Sequence, residues 1–343
     1  MALQFFWFRF ACRCLLTALL GLAGHTYADT HADTHAHAHA QTPAQPQSSP
    51  DDCPPGAQTP THAQRQASER DARDRGFLWR VSKDGRNSYL FGTIHVARID
   101  WSFPGPQVMR ALQAVDTLAL ELDPLDPDIQ RRLSAAIAAQ HRSVLPAALG
   151  QRLQRQAQAE CVPAQALSSL PPEIQLLTLL ALIGRRDGLD PAYGIDNFLA
   201  GAGRELNKSV VSLETPEMQL QALAMPTEQE SLDFIEDNLP DLERGTARPQ
   251  LLRLAQVWAN GDLDTLNSYE SWCDCLRTQA ERAMLKRILD DRNPAMAAAI
   301  DALHGTGKRV FGAVGSLHMV GPNGLPALLA QRGYQVDRVA YAH

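Results

Sequence analysis

Two stretches of this chain repeat one order of residues: an apolar, strand-like run, then glycine, two residues, and histidine. The first, "YLFGTIHV", contains Gly92, Thr93, Ile94 and His95; the second, "RVFGAVGSLH", ends at Gly315, Ser316, Leu317 and His318. A single histidine near a strand end is ordinarily a hydrogen-bonded surface or core residue. Two matched endings constrain the chain further. In both, the glycine lets the backbone turn or approach a ligand closely, and the histidine is carried to the carboxyl end of its strand. In open α/β sheets that edge is where ligands sit.

Two more strand-like runs end in carboxylates, "TLALELD" at Glu121 and Asp123 and "SVVSLET" at Glu214. If the four strands are parallel neighbours, two imidazoles and two carboxylates converge at one rim. Such a set can bind a divalent metal through imidazole nitrogen and carboxylate oxygen, with a position left for water. The metal would lower the pKa of that water and polarise a carbonyl, with a carboxylate as general base. In the competing reading Glu121 and Glu214 cap the helices that follow or pair with arginines. Strand order is not written in the residues, so both readings stand.

The remaining segments place these strands. "FLWRVS", a turn at Asp84-Gly85 and "SYLFGTI" read as a hairpin. Helices are expected around 107–114, over about 126–186 with breaks at Pro146, Pro163 and Pro171, over "GIDNFL", and over most of 217–303. The chain closes as strand, loop, helix, strand, a β-α-β unit. Strands separated by helices imply an α/β sheet, with the long helical stretches as its cover.

Ahead of this domain, Arg9 and Arg13 precede "LLTALLGLAG", an apolar run too short to span a bilayer comfortably. That pattern predicts a cleavable signal peptide over 1–28, read at Thr26 and Ala28. No stable membrane span is expected after cleavage, and export to a periplasm, or full secretion, follows. Residues 29–75 are rich in His, Ala, Thr, Gln and Pro and predict a disordered leader. Its His31, His35, His37 and His39 either bind metal weakly or belong to a soluble spacer. In an oxidising compartment Cys53, Cys161, Cys273 and Cys275 would form one or two disulfides. The single residue between Cys273 and Cys275 argues for a strained mutual bridge, so Cys161 paired with one of them is expected.

With 343 residues and 45% hydrophobic content the chain can bury a substantial core, and a net charge of -6 disfavours a nucleic-acid partner. A peptide or small-molecule substrate is easier to support. No HExxH helix, GxSxG elbow or phosphate-binding glycine loop occurs. His141 and His304 fall in helical regions and are expected at the surface.

"YLFGTIHV", "LALELD", "GIDNFL", "VVSLET", Arg292-Asn293 and "GAVGSLHMVGPNGLPALLAQRGYQV" occur in the order of the motifs of the TraB/GumN family, the group that includes the TIKI proteases. The resemblance covers about 77–339. It implies an α/β fold related to erythromycin esterases and ChaN-like proteins, with a mixed central sheet in two related halves, each carrying one GxxH motif. It also implies metal-dependent hydrolysis, of peptides in the TIKI case, with Mn, Co or Zn as the cofactor. His95 and His318 become candidate metal ligands, Glu121 and Glu214 ligands or general bases, and Arg292 a candidate to steady an oxyanion or substrate carboxylate. Asp196 is implied as a residue that orients its neighbours. Two alternatives remain: a metal-independent, esterase-like hydrolase, and a non-catalytic binding protein of the cell envelope.

Overall fold

The computed structural model describes residues 53–341. Within the stretch whose composition predicts no regular structure, α1 (His62–Arg70) forms, started by a capping box in which Thr61 and Gln64 satisfy each other's backbone amides. The Asp74 carboxylate then accepts from the free amides of Gln107 and Val108 at the start of a later helix. The end of the leader is thus tied to the domain by caps, which composition does not reveal. The expected signal peptide and the His31–His39 cluster lie outside the described residues.

The hairpin of β1 (Phe77–Lys83) and β2 (Arg86–Thr93) turns at Asp84 and Gly85, both left-handed, at φ 50° and 70°. After α2 (Pro106–Gln113) and β3 (Thr117–Leu120) comes the first helical stretch: α3 (Pro127–Ala138), α4 (Ala147–Ala159), α5 (Ala164–Ser168) and α6 (Pro172–Leu182). Pro146, Pro163 and Pro171 stand at the N-caps of α4, α5 and α6, so each proline ends one segment and starts the next. Then follow α7 (Ile195–Glu205) and β4 (Ser209–Ser212). The second helical stretch comprises α8 (Pro216–Leu223), α9 (Glu228–Arg244), α10 (Ala247–Ala259), α11 (Leu263–Asn267), α12 (Tyr269–Trp272), α13 (Gln279–Ile288) and α14 (Asn293–Gly305). The chain ends in β5 (Val310–Gly315), α15 (Leu325–Gln331) and β6 (Gln335–Arg338).

The fold is α/β around one mixed sheet of order β4-β3-β5-β2-β1-β6. β4, β3, β5 and β2 are parallel neighbours, and β1 runs antiparallel between β2 and β6. The closing unit is therefore split: β6 is parallel to β5 but lies beyond the whole hairpin. β3 and β5 are buried along their full length, as strands covered on both faces must be. The sheet core and the helical cover form two apolar clusters, joined through Leu251. Among the described residues no helix is long and apolar enough to cross a membrane.

Two expectations need correction. The disulfides join Cys53 to Cys161 and Cys273 to Cys275. Asp274 takes a left-handed φ of 49°, which brings the Cα atoms of its two neighbours to 5.0 Å, inside the range a bridge accepts. Cys161, itself at φ 52° just past α4, is then left to the N-terminal segment. His304 is buried, its ring bonded to Ser88 Oγ and the Lys83 carbonyl, each at 3.0 Å. A helical position alone did not reveal that this face of α14 lies against the sheet.

Candidate active site

Because the four central strands are parallel and adjacent, their carboxyl ends share one rim. Glu121 follows β3 and Glu214 lies just past β4; a backbone bond from Glu214 N to Glu121 O, 3.1 Å, carries the ladder beyond the strands and keeps the two residues side by side. His95 follows β2, and His318 sits in a short 3-10 turn, Ser316–Met319, after β5. Ser316 Oγ donates to the Thr93 carbonyl at 2.7 Å, so the two glycine-x-x-histidine segments are bound to each other.

Neither glycine is there for a left-handed conformation. A Cβ on Gly92 would meet Ser316 Oγ at 3.1 Å, Ser316 Cα at 3.2 Å and Met319 Cγ at 3.3 Å, so this glycine lets the second segment pack on the first. On Gly315 it would meet His95 Nε2 at 3.2 Å, Glu121 Oε1 at 3.3 Å and His318 Cδ2 at 3.6 Å. The bare face of Gly315 is the floor between the polar groups.

Glu121 Oε1 is the point of convergence. His95 Nε2 stands 3.8 Å away and His318 Nε2 4.0 Å, while the Gly315 amide donates to it at 2.8 Å. Each imidazole is held from behind: His95 Nδ1 by Asp196 at 2.8 Å, and His318 Nδ1 by Asn293 at 2.6 Å. Asp196 comes from the first turn of α7 and Asn293 from the first turn of α14. The other oxygen, Oε2, takes Arg292 Nη2 at 2.6 Å and Gln219 Nε2 at 3.2 Å.

Glu214 is placed differently from the other three. Its carboxylate, with a side-chain exposure of 0%, is occupied by Arg292 Nε at 2.9 Å, by Arg292 Nη2, and by Gln219 Nε2 at 2.9 Å. Arg292 and Gln219 thus bridge the two glutamates side by side. Asp123 leaves the rim, pairing with Arg204 at 2.5 Å and capping Leu125.

The charges follow from this arrangement. Burial opposes ionisation of Glu121, but His318, Arg292, His95 and the Gly315 amide outweigh it and hold the carboxyl well below the usual range. For His95 burial pulls down, yet Asp196 and then Glu121 raise it to about 9. The ring is 47% exposed, so its outer edge meets solvent while Nδ1 is locked. His318, 5% exposed and backed by a neutral amide, is pushed by burial down to about 4. Two histidines from matched motifs therefore carry different charges at neutral pH.

Among the described residues no group of three or more His, Cys, Asp or Glu side chains stands at metal-ligand spacing. The donor chemistry nevertheless fits a divalent ion. Two imidazole nitrogens, each oriented through its other nitrogen, face one carboxylate oxygen, the pattern of outer partners that metal-binding histidines have.

A model of the TraB/PrgY/gumN family matches residues 77–338. The chain belongs to the TraB/PrgY/gumN family. The match runs from the first residue of β1 to the last of β6, and takes in every residue of the site. α1 and Cys53 fall outside it. "Uncharacterized protein YbaP" of Shigella flexneri and of Escherichia coli (strain K12) are each 25% identical over 250 residues, which is 71% of this chain and 88% of the relative. No solved structure matches the chain significantly.

Within this TraB/PrgY/gumN site, sequence reasoning missed two contributors. Asn293 was visible only as the neighbour of Arg292, and its position at the start of α14 is the signal that it faces the rim. Gln219 lies one helical turn into α8, after Glu214, with no signal beyond that spacing.

Proposed function

We propose that this protein is an exported, metal-dependent hydrolase, a peptidase in its most specific form. The observation that carries the reading is the approach of both Nε2 atoms to one oxygen of Glu121, with both Nδ1 atoms tied back. His95, His318 and Glu121 would hold the ion, of the Mn, Co or Zn class. When bound, such an ion supplies Lewis acidity, polarising a carbonyl and making water more acidic.

The chain's own groups supply the rest. Arg292 and Gln219 fix Glu121 by its outer oxygen, which leaves the inner one turned toward the histidines. Gly315 keeps a side chain out of the space above the floor. His95, half exposed, would hold the ion at the solvent side of the site and His318 at its buried side. Glu214, enclosed by Arg292 and Gln219, acts as the support of Arg292, and Asp196 and Asn293 as supports of the rings. The repeated strand-glycine-x-x-histidine order on β2 and β5 supports two related halves, each giving one histidine. The two disulfides and the basic, then apolar, N-terminus support export to a periplasm.

The test is metal content of the protein lacking residues 1–52, so that the histidine-rich leader cannot contribute, as wild type and with His95→Ala plus His318→Ala. About one equivalent in the wild type, as one site of this class holds, lost in the double variant, supports the reading. No metal in either protein after reconstitution with Mn, Co or Zn sinks it. One observation favours a second reading: the charged His95 beside ionised Glu121 is also an acid-base pair. Hydrolysis that survives complete metal removal would select this esterase-like alternative.

A further inference from the structure

The two disulfides constrain the chain very differently. Cys53–Cys161 spans a separation of 108 residues, and closing so long a loop removes much of the freedom of the unfolded chain. Cys273–Cys275 spans a separation of 2 and removes almost none. Both bridges involve a left-handed residue, Asp274 at φ 49° and Cys161 at φ 52°, so loop length is what separates them. The short bridge therefore brings little entropic return, and a reductant can release it.

Its two sulfurs are unequal. Cys273 is 2% exposed, and its Sγ accepts a hydrogen bond from the backbone amide of Cys275 at 3.2 Å. Cys275 is partly exposed, with Sγ 3.5 Å from Tyr269 Oη, and Asp274 between them is open to solvent. An approaching thiolate reaches Cys275 first. The sulfur it displaces, on Cys273, accepts the closer donor, the Cys275 amide at 3.2 Å, against 3.5 Å from the Tyr269 hydroxyl to Cys275 Sγ.

We propose that Cys273–Cys275 is a thiol-disulfide exchange site that reacts with dithiols, the attack falling on Cys275. One thiolate of the dithiol bonds to Cys275 Sγ, and the electron pair of the disulfide leaves on Cys273 Sγ, facing the Cys275 amide. The second thiolate of the dithiol then attacks its own mixed-disulfide sulfur and displaces Cys275. The dithiol ends as a disulfide, oxidised by two electrons; Cys273 and Cys275 end as thiols, with the two protons given up by the dithiol. This activity is independent of the histidine-glutamate site, and the family match does not assign it.

The test uses the oxidised full chain in a series of reduced and oxidised dithiothreitol mixtures, quenched with an alkylating reagent and read by peptide mass spectrometry for each cysteine pair. The equilibrium constant for reduction of Cys273–Cys275 is expected to exceed that of Cys53–Cys161 by at least about tenfold. Opening of both bridges in one transition, or of Cys53–Cys161 first, overturns the proposal. A second arm uses glutathione, a monothiol, with the same quench. The adduct is expected on Cys275 with the alkyl group on Cys273; the reverse labelling, or no adduct, overturns the assignment of the attacked sulfur. Neither arm requires a variant.

Discussion

Oδ1 of Asn293 stands 2.6 Å from Nδ1 of His318, and the amide end of the same side chain donates to the Asn323 carbonyl at 2.8 Å. The second contact decides the sense of the first. With the nitrogen committed elsewhere, the oxygen faces the imidazole, Nδ1 donates, and Nε2 is left with its lone pair toward Glu121.

Asn293→Leu keeps the approximate volume but removes that acceptor. It is expected to weaken divalent-metal affinity by about 10–100-fold, measured by competition with a chromophoric chelator. Unchanged affinity in a folded variant would take the Asn293 contact out of the account of the site.

In the metal-free protein the two imidazoles should titrate on opposite sides of 6.5, the ordinary histidine value, with His95 near 9 and His318 near 4. The signs differ as well. Since the pKa of His95 rises on folding, its contribution to stability is full below 6.5 and is lost as pH climbs through 9. The pKa of His318 falls on folding, so its contribution is present above 6.5 and is lost as pH drops through 4. Histidine proton resonances followed against pH check both, and two titrations together near 6.5 would contradict the arrangement.

Gly315→Ala puts a methyl group at 3.2 Å from His95 Nε2 and 3.3 Å from Glu121 Oε1, while asking nothing unusual of the backbone, whose φ is −48°. The expected result is a cooperative fold within about 1–3 kcal/mol of wild type, the range of an overpacked core position, together with loss of bound metal. Retention of full metal occupancy would show that the floor between the histidines is not the site.

Removing Arg292 leaves the Glu214 carboxylate enclosed without its cation. Arg292→Ala is expected to cost about 3–5 kcal/mol, as for any buried ion pair broken on one side, read from urea denaturation. Arg292→Lys should recover little, because one ammonium cannot reproduce the Nε and Nη2 contacts that span two carboxylates. A lysine variant as stable as wild type would refute the bridging role.

Much of this site is legible in residue order because strand ends announce themselves. His95, Glu121, Glu214 and His318 each follow an apolar run, and parallel strands put all such endings on one rim. What the residues do not carry is lateral order, since nothing local in "TLAL" or "VFGAVG" says that β3 neighbours β5. The division of labour between the two glutamates depends on that order and on Arg292 arriving from a helix 171 residues beyond Glu121. The Cys273–Cys275 bridge was misjudged because spacing counts residues but not the sign of φ at Asp274. The end of the leader was misjudged because a capping box and a helix-capping aspartate need no apolar content.

β5 lies between β3 and β2, yet its residues, 310–315, come near the end of the chain. Until they are available, β1 with β2 and β3 with β4 are two small ladders, each with a bare parallel edge, and nothing holds them together as a sheet. Assembly therefore has a high contact order and waits until residues 310–315 are available. The docking of that one strand both closes the sheet and brings His318 to the carboxylate of Glu121 and the ring of His95.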